Sequence, residues 1–281
     1  MTVYRHFMVK PFHEYKVFIS LFKRYIMITR EFKKDKLNVK IMDSRLAMGE
    51  VAAADAAAYI KELQATKDEL NIIFAAAPSQ NETLAALVAT EGIEWNKINA
   101  FHMDEYIGLA ADAPQGFGNF LARAIFDLVP FKSVNYLAPD ANDPEATCKR
   151  YTELLESHPV DMILMGIGEN GHIAFNDPPV ADFNDSKLVK IVELDPICRQ
   201  QQVNDGCFAS LDLVPTHALS LTIPVFMKAK KLICSVPAPT KADAVYATCN
   251  NTEINEACPA TAMRLHDDAT MYLDPDSAAK L

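Results

Sequence analysis

The sequence predicts an α/β protein: one doubly wound, mostly parallel sheet flanked by helices, of the Rossmann-like kind. Three observations carry that expectation. From residue 37 onward, short β-rich runs alternate with helix-patterned segments, the order that builds parallel strands joined by crossover helices. The runs LNIIFA (70–75) and DMILMGI (161–167) are continuously apolar instead of alternating, as expected of strands covered on both faces. The chain has 281 residues, 50% of them hydrophobic, which is enough for a substantial core.

Taken in order, residues 37–42 read as a strand. Asp43 or Ser44 can then cap an Ala-rich helix running to about Ala65, because their side chains accept from the free N–H groups of a first turn. Residues 70–75 form the next strand, and a polar loop from Pro78 to Asn81 leads into a helix near 83–90. Strand 97–103, helix 116–127, helix 144–157 and strand 161–167 follow. After a long polar, Pro-containing segment come strands at 218–223 and 232–236. Thr240 is placed to cap a helix over 241–249, and the chain closes with a strand at 270–273 and a helical turn. No Pro/Gly/Ser-rich linker divides it.

The first stretch differs. It is aromatic and basic, with a short apolar run at 17–22 followed by Lys23 and Arg24 and no small-residue cleavage pattern, so it reads as an N-terminal extension more than as a signal peptide. Residues 1–30 are taken as that extension, with Met27 a candidate initiator, and 31–281 as the domain. No run approaches the roughly 20 apolar residues that span a bilayer.

Acids outnumber bases 37 to 27, a formal charge of −10. That argues against a broad nucleic-acid-binding face but not against a phosphate held by one local cation. Six dispersed cysteines, with no CxxC pair and no His at ligand spacing, read as reduced thiols of a cytoplasmic protein without a structural zinc site.

In doubly wound sheets, ligands bind beyond the carboxyl ends of the strands. The loops after Ala75, Met103, Ile167 and Val236 are therefore the places to look. The third reads Gly168-Glu169-Asn170-Gly171-His172-Ile173-Ala174-Phe175-Asn176-Asp177-Pro178. His172 is the side chain there that titrates near neutrality without perturbation, and Asp177 can orient it. The second loop sets Asp104 and Glu105 just past an apolar strand. A base that removes a carbon-bound proton needs a partly dry cleft within reach of its substrate, and Asp104 stands where one would be.

The segments FHMDEYIGL (101–109) and GIGENGHIAFNDP (166–178) together resemble the two signature segments of the glucosamine-6-phosphate deaminase/isomerase family, and the order of elements is similar from about Leu37 to the C-terminus. The sister 6-phosphogluconolactonases share the fold and the Gly-His element, but differ after the His and in the earlier acidic segment. The resemblance implies aldose–ketose isomerisation of an amino-sugar phosphate with loss of ammonia: glucosamine-6-phosphate to fructose-6-phosphate. His172 would assist ring opening, Asp104 would carry a proton between C2 and C1, and Asp177 would support His172. No metal or organic cofactor is implied, since the sugar carbonyl itself acidifies the proton. The expected partner is a small sugar phosphate, not nucleic acid or membrane, and family members vary in whether they form homo-oligomers.

Three departures from the family pattern stand out. Asn170 replaces an Asp; it can orient His172 but offers no negative charge to an imidazolium. Asp177 replaces a Glu and is one methylene shorter. The usual Gly- and Thr-rich phosphate turn becomes 75–83 here, where Ser79, Gln80 and Asn81 can donate and the following helix N-terminus favours an anion. Lys241 matches the family's phosphate lysine. Gln202 falls where the family has an arginine, and Arg199, one turn earlier, is the substitute expected on spacing. A lactonase-like hydrolase, an isomerase of another amino-sugar phosphate and a silent sugar-phosphate binder stay open as alternatives.

Overall fold

Residues 27–281 are described by a computed structural model, so the expectations for the first 26 residues lie outside it. Among the described residues, eight strands form one sheet in the order β1-β2-β11-β10-β7-β3-β4-β6. These are β1 (Ile28–Lys34), β2 (Leu37–Met42), β3 (Leu70–Phe74), β4 (Ile98–His102), β6 (Ser133–Asn135), β7 (Met162–Met165), β10 (Leu232–Val236) and β11 (Ala269–Leu273). Every pairing is parallel except β1 with β2. The crossovers carry α1 (Arg45–Gln64), α2 (Asn81–Val88), α3 (Phe117–Leu121) and α4 (Pro144–Ser157). Further along come α5 (Pro196–Asn204), α6 (Ile223–Lys228) and α7 (Ala242–Asn250).

The apolar runs of the central strands are explained by two cores. Ile73 of β3 and Ile163 of β7 belong to one cluster, with Tyr151 of α4 and Val245 of α7. Their chain neighbours Ile72, Phe74 and Leu164 belong to another, with the alanines of α1. Successive side chains of a strand point to opposite faces, so both faces are buried and no polar alternation is needed. Ser44 is the residue that caps α1, its hydroxyl accepting from Ala47 N–H at 3.2 Å.

Four differences from the expected layout have physical causes. The boundary placed after residue 30 falls inside β1, whose residues Glu31 to Lys34 pair with β2; that strand is amphipathic and charged, which hid it. Residues 218–223 do not join the parallel sheet. Instead β9 (His217–Leu221) lies antiparallel between β5 (Asp104–Tyr106) and β8 (Val189–Glu193) in a second, three-stranded sheet. Helix 116–127 is α3 followed by a π-helical turn over Ala122–Phe126. Thr240 does not cap α7: Pro239–Lys241 form a 3-10 turn and the helix begins after Lys241 with no side-chain cap. No helix of the described residues is long and apolar enough to cross a membrane.

Candidate active site

β10, β7, β3 and β4 are consecutive in the sheet, and the loops leaving their carboxyl ends meet around one cleft. It is lined by Ala75–Gln80, Met103 and Asp104, Gly166–Gly168, His172, and Pro237, Ala238, Thr240 and Lys241, with α5 and its C-cap adding Gln201, Gln202 and Asp205. These are the four loops that strand-end logic singles out. Two cleft alanines, Ala174 (φ +51) and Ala238 (φ +86), lie in the left-handed region, a strain of about 1–2 kcal/mol each that concentrates at sites where backbone position matters.

Asp104 and Glu105 are adjacent acids with different surroundings. Glu105 Oε1 accepts from Tyr106 and Phe117 N–H, both at 3.0 Å, and Oε2 from Gly118 N–H at 2.8 Å. It therefore holds the start of α3 and is committed to backbone. Asp104 is 7% exposed, and among the described residues nothing hydrogen-bonds its carboxylate. Burial, with the Glu105 charge beside it, pushes its pKa well above the ordinary carboxylate value. Its main chain is fixed from behind. His102 Nδ1 donates to the Asp104 carbonyl at 3.0 Å while Nε2 accepts from Leu137 N–H at 2.9 Å. That pairing suits the neutral ring, and burial drives the His102 pKa down to about 4. Tyr151 hydroxyl ties the end of β4 to α4 through the His102 carbonyl at 2.9 Å.

His172 sits on a loop that only small residues allow. A Cβ on Gly168 would fall 2.1 Å from the His172 ring, and Gly171, at φ +80, would place one 2.7 Å from Cys258 Sγ. The imidazole thus occupies space left by one glycine and is turned into place by another. His172 N–H donates to Asn170 Oδ1 at 3.1 Å, and Asn170 Nδ2 donates to Asp177 Oδ1 at 2.9 Å. His172 Nδ1 stands 2.8 Å from the same Asp177 oxygen. Burial alone would raise the Asp177 pKa, but the contact and charge of His172, together with Asn170, hold it below the ordinary value. The structure therefore brings Asn170, His172 and Asp177 into one cluster.

At the other end of the cleft, Lys241 is 4% exposed and its Nζ has no hydrogen-bond partner among the described residues. Burial lowers its pKa, opposed by the charges of Asp205 and Glu169. Gln80 Nε2 donates to Ser79 Oγ at 3.1 Å and to the Ser235 carbonyl at 3.2 Å. Ser79 and Gln80 both line the cleft.

Asn81 and Arg199 are not brought there. Asn81 is exposed on α2, away from the lining. Arg199 is a correction: its Nη2 donates to the Leu211 and Val214 carbonyls, both at 2.8 Å, so it braces the following loop while Gln202 faces the cleft. Shared helix face is a matter of spacing; the two free carbonyls decided where the guanidinium went. The cation missed in the sequence is Arg45, at the start of α1. It lines the cleft, with Nε on Glu82 Oε1 and Nη2 on the Pro78 carbonyl, both at 2.8 Å. Only the fold brings residue 45 beside residue 78.

Comparison with known proteins bears on the family and the fold. Residues 43–272 match the family described as glucosamine-6-phosphate isomerases/6-phosphogluconolactonase. A glucosamine-6-phosphate deaminase of Listeria monocytogenes is 34% identical over 231 residues, 82% of this chain and 96% of that protein. One from Bacillus cytotoxicus is 35% identical over 190 residues, 66% of this chain and 70% of the relative. The solved structure of a monomeric glucosamine-6-phosphate deaminase superposes with a TM-score of 0.78 at 29% identity, covering 86% of this chain and 99% of that one. A 6-phosphogluconolactonase from Trypanosoma brucei, at 15% identity, TM-score 0.72, and coverage of 90% and 100%, shares the fold. The four-loop cleft, the extent of the sequence match and its identity converge: the chain belongs to the glucosamine-6-phosphate isomerase/6-phosphogluconolactonase family.

Proposed function

We propose that the protein converts glucosamine-6-phosphate and water to fructose-6-phosphate and ammonia, in one domain that includes β1, acting in the cytoplasm where sugar phosphates are held. The observation that carries this reading is Asp104: a carboxylate buried at a strand end in the cleft, unpaired among the described residues, with its pKa raised. A group that must take a proton from carbon and return it works best with a pKa moved toward the working pH. A silent binder has no use for one.

The chemistry follows from the arrangement. His172, backed by Asp177, moves the ring-oxygen proton and opens the sugar. Asp104 takes the C2 proton of the open aldehyde, giving an enolamine, and returns it to C1. The resulting C2 imine adds water and expels ammonia, leaving the ketose. Asn170 bonds the His172 main-chain N–H and the Asp177 carboxylate that faces the imidazole, so it positions both members of the pair. The phosphate is assigned to Lys241, Ser79, Gln80 and Arg45. A buried ammonium without a partner is costly, and a phosphate oxygen removes that cost. Asn81 and Arg199 are left out of this assignment because of where their side chains lie.

The test is incubation with glucosamine-6-phosphate and measurement of ammonia and fructose-6-phosphate in equal amounts. Absence of both, with hydrolysis of 6-phosphogluconolactone instead, would overturn the reading in favour of the sister chemistry.

A further inference from the structure

Behind the cleft, three potential metal ligands meet that sequence spacing does not reveal. A ring nitrogen of His172, a carboxylate oxygen of Asp177 and Cys198 Sγ all lie within 4.8 Å of one another, on buried residues. Asp177 and Cys198 are 0% exposed. His172 Nδ1 stands 2.8 Å from Asp177 Oδ1, and the Cys198 thiol also lies against the Asp177 carboxylate, so the three groups face one another inside the fold.

We propose that His172, Asp177 and Cys198 form a zinc site whose occupation inhibits the enzyme reversibly. One nitrogen, one oxygen and one sulfur ligand with a fourth position for water is a zinc set. The bond lengths of tetrahedral zinc put such donor atoms roughly 3.3–3.8 Å apart, so the present cluster needs only a small adjustment. On binding, the Cys198 S–H bond breaks and its proton leaves to water; any proton on His172 Nδ1 leaves the same way. The carboxylate and the new thiolate then balance the dication, so no net charge is buried. Asp177 also lines a second cavity, separate from the cleft, with Glu193 and Asp195, and an acid-lined opening draws cations.

Metal binding itself does not depend on the substrate assigned above; the inhibition does, because zinc on Nδ1 and Asp177 removes the couple proposed to move the ring-oxygen proton. The experiment uses the full-length protein, stripped with EDTA and desalted, and Co2+ as a spectroscopic stand-in. Expected are an intense near-ultraviolet thiolate-to-cobalt band and its loss when Zn2+ is added. In Cys198→Ser and Cys198→Ala the band should vanish and zinc affinity fall at least about tenfold. Ammonia release by the wild type should stop with Zn2+ and return with EDTA. No cobalt band in the wild-type protein, or a band that survives in both Cys198 variants because other cysteines supply the sulfur, overturns the site. A band in a protein that releases no ammonia upholds the site and refutes the deaminase reading instead.

Discussion

The two ends of the cleft are built differently. At the proton-handling end, the groups are locked by neighbours: Asn170 holds both His172 and Asp177, His102 holds the Asp104 backbone, and Glu105 is consumed by three amides. The Asp104 carboxylate has no hydrogen-bond partner among the described residues. At the end proposed to take the phosphate, the reverse is true: Lys241 Nζ is buried without a partner among the described residues, and Arg45 is already shared with Glu82 and Pro78. On the proposed function, the first end is oriented before substrate arrives, and the second is completed by the substrate phosphate. Catalytic losses are therefore expected from changes at the first end and binding losses from changes at the second.

The largest effect is expected from Asp104→Asn: kcat lower by about 10^3-fold or more, as for loss of a general base, with substrate affinity within a few-fold of wild type by calorimetry. The same variant gives a stability prediction. The folded-state pKa of Asp104 is raised, so the fold binds that proton more tightly than the unfolded chain and loses stability as pH rises through the interval between the two values. Asp104→Asn removes the penalty. Its Tm should exceed that of the wild type at pH 8, and the gap should close toward pH 4. The raised pKa also moves the acid limb of kcat/KM. It should fall at a pH above the ordinary carboxylate range of about 4, and a profile flat to that pH would remove Asp104 as the base.

Next is Lys241→Met, which should raise KM about 10–100-fold, the worth of a charge-assisted contact of roughly 1.5–3 kcal/mol, and change kcat less. Equal loss in kcat would break the division between the two ends. Asn170→Ala should lower kcat about tenfold with KM nearly unchanged, because it frees both the imidazole and Asp177 to reorient. Arg45→Ala should be mildest at the cleft, a KM increase of about 3–10-fold, since its charge is half-exposed and shared with Glu82. As a contrast, Arg199→Ala should leave KM untouched and lower stability by about 1–3 kcal/mol, from two carbonyls left unpaired; a KM rise there would reinstate it as a phosphate ligand.

Much of this was legible in the sequence, for reasons that differ by residue. Continuous apolar strands marked the central sheet, and the loops after them marked the cleft, because in a parallel sheet the strand ends and the ligand site coincide. Asp104 and His172 sit inside long local motifs. Arg45 and Cys198 do not: each reaches its place through packing of a helix whose own sequence carries no sign of it. Glu105 could not be told from Asp104 until α3 offered its amides. The three-stranded sheet escaped because β5 has only three residues, β8 lies at the end of the long polar segment and β9 reads like any other buried strand.

The central claim is that Asp104 carries the C2 proton. The direct measurement is hydrogen exchange at C2 and C1 in deuterated water, followed by NMR with wild type and Asp104→Asn at saturating substrate. The account predicts deuterium in the sugar carbons with the wild type and none above background with the variant, while the variant still binds. Exchange at the wild-type rate in Asp104→Asn would contradict it.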